Sequence, residues 1–323
     1  MSLQVTEAQN NTKIYHLTAN KTTPEFFRQN NKNLQKLQKD PEYQKRIDFI
    51  QDFKFPVSSG KIQISKDGEY IFASGIYGPQ MKIFSTTNLS LKCMRGFDSE
   101  IVDFIALGDD YRKIACASMD RNIELHAQYG KHFKIRLVVF FLIWRVPKMP
   151  RCINYNRFNC DLYIGCSSPS LYRLNLEKGR FLRSYDLSSN SCNATLVSAS
   201  LNCLFSGGDS GALDLIDFRE PDSQGSFSLS ESITCLSESS NPFEFYVGTK
   251  QGKVHLFDIR HSQPVVSKQH PYEFPILSVE WHSSAKKLVS VDKKCVRVTE
   301  KNSEDLFFMY EPKHEINNLQ SKF

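Results

Sequence analysis

Apolar and β-branched residues in this chain fall in short runs separated by polar turn residues, and the stretch Val247 to Arg260 shows the unit most plainly. A small-residue opening, a polar tight turn at Lys250-Gln251-Gly252, the run Val254, His255, Leu256, Phe257 and then Asp258 predict the two strands of a hairpin. The run alternates only weakly, as a strand covered on both faces does. The unit recurs. A small residue and the position ten residues after it pair as Gly75/Ser85, Ala117/Ala127, Gly165/Asn175, Gly207/Asp217, Gly248/Asp258 and Ser290/Glu300, with successive intervals of 42, 48, 42, 41 and 42 residues. Two turn-then-aromatic segments, Ser65 to Tyr70 and Leu107 to Tyr111, precede their small residues and are expected to join the first and second strands of their units.

A period in the low forties with a turn and a strand ending near Asp is the signature of WD40-type propeller blades of about four strands each. The expected fold is therefore all-β, a WD40-type β-propeller. Six repeats are recognisable, on a seven-blade plan with an incomplete last blade. Such a ring needs roughly 240 to 320 residues, and the chain has 323.

Residues 23–55 break the pattern. Thr23-Pro24-Glu25 and Asp40-Pro41-Glu42 each place an N-cap residue before Pro at a first helical position. Tyr43, Ile47, Ile50 and Phe53 then fall at helical spacing, predicting a helix docked on the propeller. This segment carries Arg28, Lys32, Lys36, Lys39, Lys45 and Arg46 against Asp40 and Glu42. Such a charge run is ordinarily a solvated helix face, with RNA or an acidic protein as the functional alternative.

The long interval contains the apolar run 137–144, Leu137 to Trp144, whose removal restores the period, so it is expected to be an insertion. The plainer alternative is a buried blade strand. No Asp or Glu occurs from Leu125 through Cys160, while Lys131, Lys134, Arg136, Arg145, Lys148 and Arg151 lie there with Arg157 and with Tyr129, Phe133, Tyr155 and Phe158. Cations beside aromatics are what contact with single-stranded RNA requires, although propeller aromatics are more often core.

A net charge of +6 is too mild to imply nucleic-acid binding by itself. No signal-peptide pattern or membrane-length apolar stretch is present, so no membrane association is expected. Nine cysteines suit a reducing compartment rather than a disulfide framework. Cys152, Cys160 and Cys166 lack zinc-ligand pairing and are expected to be free thiols. Asp217 and Asp258 end strands, where they fix the following turn, and His255 is expected to be packed. No catalytic, cofactor or metal residues are assigned, and neither an enzyme nor a small-molecule substrate is expected.

Several stretches together resemble the nucleolar protein 10 family of WD40-repeat ribosome-biogenesis factors. They are Lys13-Ile14-Tyr15, Thr23 to Phe26, Arg46 to Phe53 before Pro56, Ser65 to Ile71, Asp98-Ser99-Glu100, Leu171 to Arg180, Gly248 to Arg260 and Glu311 to His314. The resemblance implies a non-enzymatic scaffold in the nucleolar small-subunit pre-ribosome. It would support processing and maturation of small-subunit rRNA, with assembly proteins as partners and pre-rRNA in contact. Two departures are expected. The run 137–144 lies outside the family pattern, and the chain stops where family members continue through a closing blade. The layout that follows is 1–22 tail and strand, 23–55 basic helical segment, 56–312 blades and 313–323 the start of a closing blade. The alternative is an adaptor of another nuclear complex such as a cullin-type ubiquitin ligase, on the Asp-x-Arg endings Asp217 to Arg219 and Asp258 to Arg260.

Overall fold

The computed structural model describes residues 4–7, 13–16, 48–50, 53, 55–87, 90–135, 137–139, 142–144, 146, 148–220, 223–303, 306–312 and 315–320. An N-terminal sheet comes first: β1 (Gln4–Glu7), β2 (Lys13–His16) and β3 (Asp48–Ile50), in the order β1-β2-β3. Blade I is β4 (Ser59–Ile64), β5 (Tyr70–Gly75), β6 (Gln80–Ser85) and β7 (Ser90–Gly96). Blade II is β8 (Ile101–Ala106), β9 (Ile114–Ser118), β10 (Ile123–His126) and β11 (His132–Ile135). A separate hairpin, β12 (Leu137–Val139) and β13 (Leu142–Trp144), follows. Blade III is β14 (Pro150–Asn156), β15 (Asp161–Cys166), β16 (Ser170–Asn175) and β17 (Arg180–Asp186). Blade IV is β18 (Ala194–Ser198), β19 (Cys203–Gly207), β20 (Ala212–Asp217) and β21 (Ser223–Ser228). Blade V is β22 (Ile233–Glu238), β23 (Glu244–Thr249), β24 (Lys253–Asp258) and β25 (Val266–Gln269). Blade VI is β26 (Ser278–His282), β27 (Lys287–Val291), β28 (Val296–Thr299) and β29 (Leu306–Tyr310).

The six repeats are thus six antiparallel four-stranded blades of an all-β propeller. Burial explains the weak alternation of the inner repeat strands. All six residues of β15 are buried, because the neighbouring blades cover both faces, whereas outer β7 has only exposed and half-buried positions. The phenylalanine layer of blades IV and V shows the packing: Phe245 and Phe257 stack at 5.7 Å, and Phe205 of the preceding blade lies 4.6 Å from Phe245.

The small residue that marks each repeat sits where the second strand meets its neighbour. A Cβ at Gly207 would lie 2.6 Å from the Ile233 side chain of blade V, and one at Gly248 would lie 2.4 Å from Cys235 Sγ and 3.0 Å from Ile276. Gly165 is filled in the same way by Cys152 and Cys192, and Gly75 by Phe55. The repeat's glycine signal is therefore a record of close approach rather than of unusual backbone angles.

Successive inner strands are joined by side-chain hydrogen bonds to backbone. The Ala106 amide donates to Gln63 Oε1, the Ile153 amide to Asp103 Oδ2, Asn154 Nδ2 to the Thr195 carbonyl, Asn193 Nδ2 to the Ile233 carbonyl, and Thr234 Oγ1 to the Ile276 carbonyl. Between blades VI and I lies the segment 315–320. The Ile316 amide donates to the Lys293 carbonyl and Lys293 pairs with Glu315, while Asn317 donates to the Ser59 carbonyl and the Ile64 amide donates to Gln320 Oε1.

The expected helix is corrected at its C-terminal end. Asp48–Ile50 is a strand paired to β2, with Ile14 opposite Ile50, so the apolar spacing of Ile50 and Phe53 does not record a helix face. Phe53 instead stacks on Phe84 at 4.2 Å, laying the chain onto blade I. The remainder of the basic segment, with Arg28, Lys32, Lys36, Lys39, Lys45 and Arg46, lies outside the described residues. Within the run 137–144, β12 and β13 pair with each other in a separate two-stranded sheet that belongs to neither blade II nor blade III.

Candidate interaction surfaces

At one end of each blade the loops joining second to third strands meet those joining one blade to the next. Polar knots tie them together. In blade VI, His270 Nδ1 lies 3.1 Å from Asp292 Oδ2 and its Nε2 lies 2.7 Å from Ser290 Oγ, while Asp292 Oδ1 accepts the amides of Lys294 and Cys295. In blade V, Glu231 pairs with Lys253, and the Thr249 hydroxyl bonds the backbone of the same residue.

His270, Asp292 and Cys295 bring three ligand-type atoms within 4.8 Å of one another. Burial drives the Cys295 thiol up to about 12, with Asp292 adding to the rise. Burial also raises the Asp292 carboxyl, but the amides of Cys295 and Lys294, the Cys295 thiol and His270 outweigh it and hold the acid low. A neutral thiol and an amide-clamped carboxylate make this a hydrogen-bond knot whose groups satisfy one another. His255 is likewise packed, its Nδ1 lying 2.7 Å from Ser267 Oγ.

A pH dependence follows. Burial holds both His270 and His255 below the ordinary imidazole value, and the neighbouring Asp292 and Glu231 only partly oppose it. The unfolded chain therefore takes up protons first as pH falls, and the stability contributed by the neutral rings, present above about pH 6.5, is lost progressively below it. The urea midpoint should be flat from about pH 8 to 7 and decline from about pH 6.5 downward. A midpoint unchanged down to about pH 5 would contradict this linkage.

Acids from outside the window reach into it, some from the same blade and some from its neighbours. Lys134 pairs with Asp98 and lies 3.3 Å from Glu124, and the Asp98 bond is the first cause of its raised pKa. Arg151 meets Asp209 at 2.8 Å and also donates to Asn193. Asp209 is held low by Asn193 first, then by Arg151 and Ser191. Arg157 meets Asp109 at 2.6 Å. Lys134 and Arg151 thus serve as ties between elements, whereas Lys131 and Lys148 are exposed. Arg136 and Arg145 lie outside the described residues.

The window's aromatics fare differently. Tyr155 is half-buried, but Tyr129 is 89% exposed and Phe158 76% exposed. Tyr129 sits at the tip of the β10–β11 turn with φ of 63°, a left-handed conformation that non-glycine residues seldom adopt. Phe158 is in the β14–β15 turn. Both turns are tied to the same β8–β9 loop, through Gln128 to the Tyr111 hydroxyl and through Arg157 to Asp109. One face of blades II and III therefore presents the exposed rings of Tyr129 and Phe158, with exposed Lys131 close to Tyr129 along the chain.

Both Asp-x-Arg endings are self-contained. Arg219 makes a two-pronged contact with Asp217 at 3.1 and 2.8 Å, and Arg260 makes the same contact with Asp258 at 3.0 and 2.7 Å. Each Asp also caps the amide of its own Arg, and the Arg260 bonds bring the Asp258 carboxyl down to about 2. These are turn locks, as their position at strand ends suggested. Cys152 and Cys166 are buried free thiols and Cys160 a half-buried one. Cys152 lies 3.8 Å from Cys192, a neighbour that sequence spacing did not reveal.

The model of the nucleolar protein 10-like N-terminal domain, a β-propeller, matches residues 4–321. The chain belongs to this family. It is 34% identical to nucleolar protein 10 of Xenopus laevis and 35% identical to that of Homo sapiens, in each case over 96% of its own length and 45% of the relative's. It is 32% identical to ribosome biogenesis protein ENP2 of Saccharomyces cerevisiae, over 99% of its length and 45% of the relative's. The chain therefore spans about half the length of these relatives. The family match covers both the N-terminal strands and the segment 315–320 between blades VI and I, so these belong to the domain as much as the six blades do.

Proposed function

We propose that this propeller is a non-enzymatic scaffold of nucleolar ribosome biogenesis, supporting small-subunit rRNA processing by holding assembly proteins and pre-rRNA together. The observation that carries the reading is the family match over residues 4–321 together with relatives named for the nucleolus and for ribosome biogenesis. The ring suits the role, because blade packing fixes the frame while loops at both ends vary without disturbing it. For RNA contact, the best-supported surface is the exposed pair Tyr129 and Phe158 with Lys131, since unpaired bases stack on free rings and a neighbouring cation meets the phosphate. The basic segment from Arg28 to Arg46 is a second proposed contact.

The test is in-cell crosslinking of the tagged chain with sequencing of the attached RNA, run beside gradient sedimentation. Small-subunit precursor RNA should be enriched. The triple variant Tyr129→Ala, Phe158→Ala, Lys131→Glu should reduce that enrichment by about thirtyfold or more, since each of the two lost stacks is worth about 1–3 kcal/mol, without changing the melting temperature. Recovery of the chain only in free, RNA-poor fractions would count against the reading.

A further inference from the structure

We propose that the cleft between blades V and VI seats an acidic peptide of a partner protein, a binding role independent of the RNA surface on blades II and III. The cleft, of about 810 Å³, opens among the β22–β23 loop, the β26–β27 loop and the turn after β28. Its lining is donor-rich. Lys286, Lys287 and Lys301 stand against a single carboxylate, Glu300, and the hydroxyls of Ser239 and Ser240 lie beside them.

Two of these lysines are already placed. Lys287 pairs with Glu300, and Lys301 spends two of its three N–H groups on Glu244 and on Ser240 Oγ at 2.7 Å. Lys286 is exposed at a turn tip with φ of 52° and makes no ion pair among the described residues. Two polar groups of the wall lack partners as well. Trp281 Nε1, a donor only, and Ser303 Oγ are both buried without a hydrogen bond. A carboxylate-bearing strand supplies the acceptors such a wall lacks, and Lys286, the one lysine of the three left without a carboxylate among the described residues, matches its charge.

The indole argues for peptide rather than RNA. Tyr246 stacks against Trp281 at 6.3 Å and the Lys301 ammonium lies over the ring at 5.8 Å, so the ring is engaged in packing rather than offered as a platform for a base. Tyr129 and Phe158 are free in the way that Trp281 is not.

The experiment titrates the purified full chain with a fluorescent Glu-rich peptide, and in parallel with its Gln counterpart, an oligouridylate and inorganic phosphate. It is done in a Trp144→Phe background, where Trp281 is the sole indole. The Glu-rich peptide should bind in a salt-sensitive manner and change Trp281 emission, and Lys286→Glu should weaken it by ~10-fold through like-charge opposition, with the melting temperature unchanged. Lys286→Arg should restore binding. No peptide binding, equal binding of the Gln peptide, binding indifferent to Lys286→Glu, or preferential capture of the oligouridylate at this cleft would each overturn the proposal. Competition by inorganic phosphate alone at equal concentration would do so too.

Discussion

Phe245→Ala should lower the unfolding free energy by about 3–5 kcal/mol, the cost of removing a buried aromatic and leaving its cavity. The ring is 2% exposed. It lies 4.6 Å from Phe205 and 6.3 Å from Phe227 of blade IV and 5.7 Å from Phe257 of its own blade, so truncation loosens the layer that holds two blades together. Neighbouring inner strands are already tied by the Asn193 and Thr234 hydrogen bonds, which resist the collapse that would refill the hole. Urea unfolding followed by fluorescence measures the change. A loss under about 1 kcal/mol would mean the layer is not packed as described, and Phe245→Leu should recover much of the deficit.

Gly208→Ala, a single added methyl, should cost about 3 kcal/mol or more, at or beyond the upper end of ordinary overpacking. A Cβ there would lie 2.0 Å from the Ser191 carbonyl oxygen and 2.0 Å from Ser189 Oγ. The carbonyl is backbone and cannot swing aside, and the Ile233 amide hydrogen-bonds the Gly208 carbonyl, pinning the residue from the other side. Gly207→Ala meets a side chain, Ile233 at 2.6 Å, rather than backbone, so it should cost less. The comparison is made with both variants in one thermal-melt series. If Gly207→Ala proves the more damaging, inter-blade contact rather than loop approach dominates this corner.

That pair also shows where sequence reading stopped. The periodic small residue pointed to Gly207, because a close approach at this strand position recurs from repeat to repeat, at Gly75, Gly165, Gly207 and Gly248. Gly208 belongs to a loop approach that this blade makes with Ser189 and Ser191, and a feature present once has no period. The cation-rich window is divided in the fold for a similar reason. Its lack of acids is a fact of chain order, whereas Asp98, Asp209 and Asp109 arrive from other parts of the ring to meet Lys134, Arg151 and Arg157. The helical spacing of Ile50 and Phe53 misled because β3 is held by pairing with the distant β2.

The sequence by itself determined the repeat, the number of recognisable blades, the small residue that recurs in the second strand and the aspartate that locks the turn after β20 and β24. All of these depend on residues near one another in the chain or on a contact that recurs from repeat to repeat. Only the tertiary structure decided which lysines and arginines are tied to carboxylates and which aromatics stay exposed. It also decided how residues 315–320 bridge blade VI to blade I, and where a lysine-rich cleft opens between two blades. Each of those depends on groups brought together from far apart in the chain, and the closing of a ring fixes such meetings without leaving any spacing in the sequence to record them.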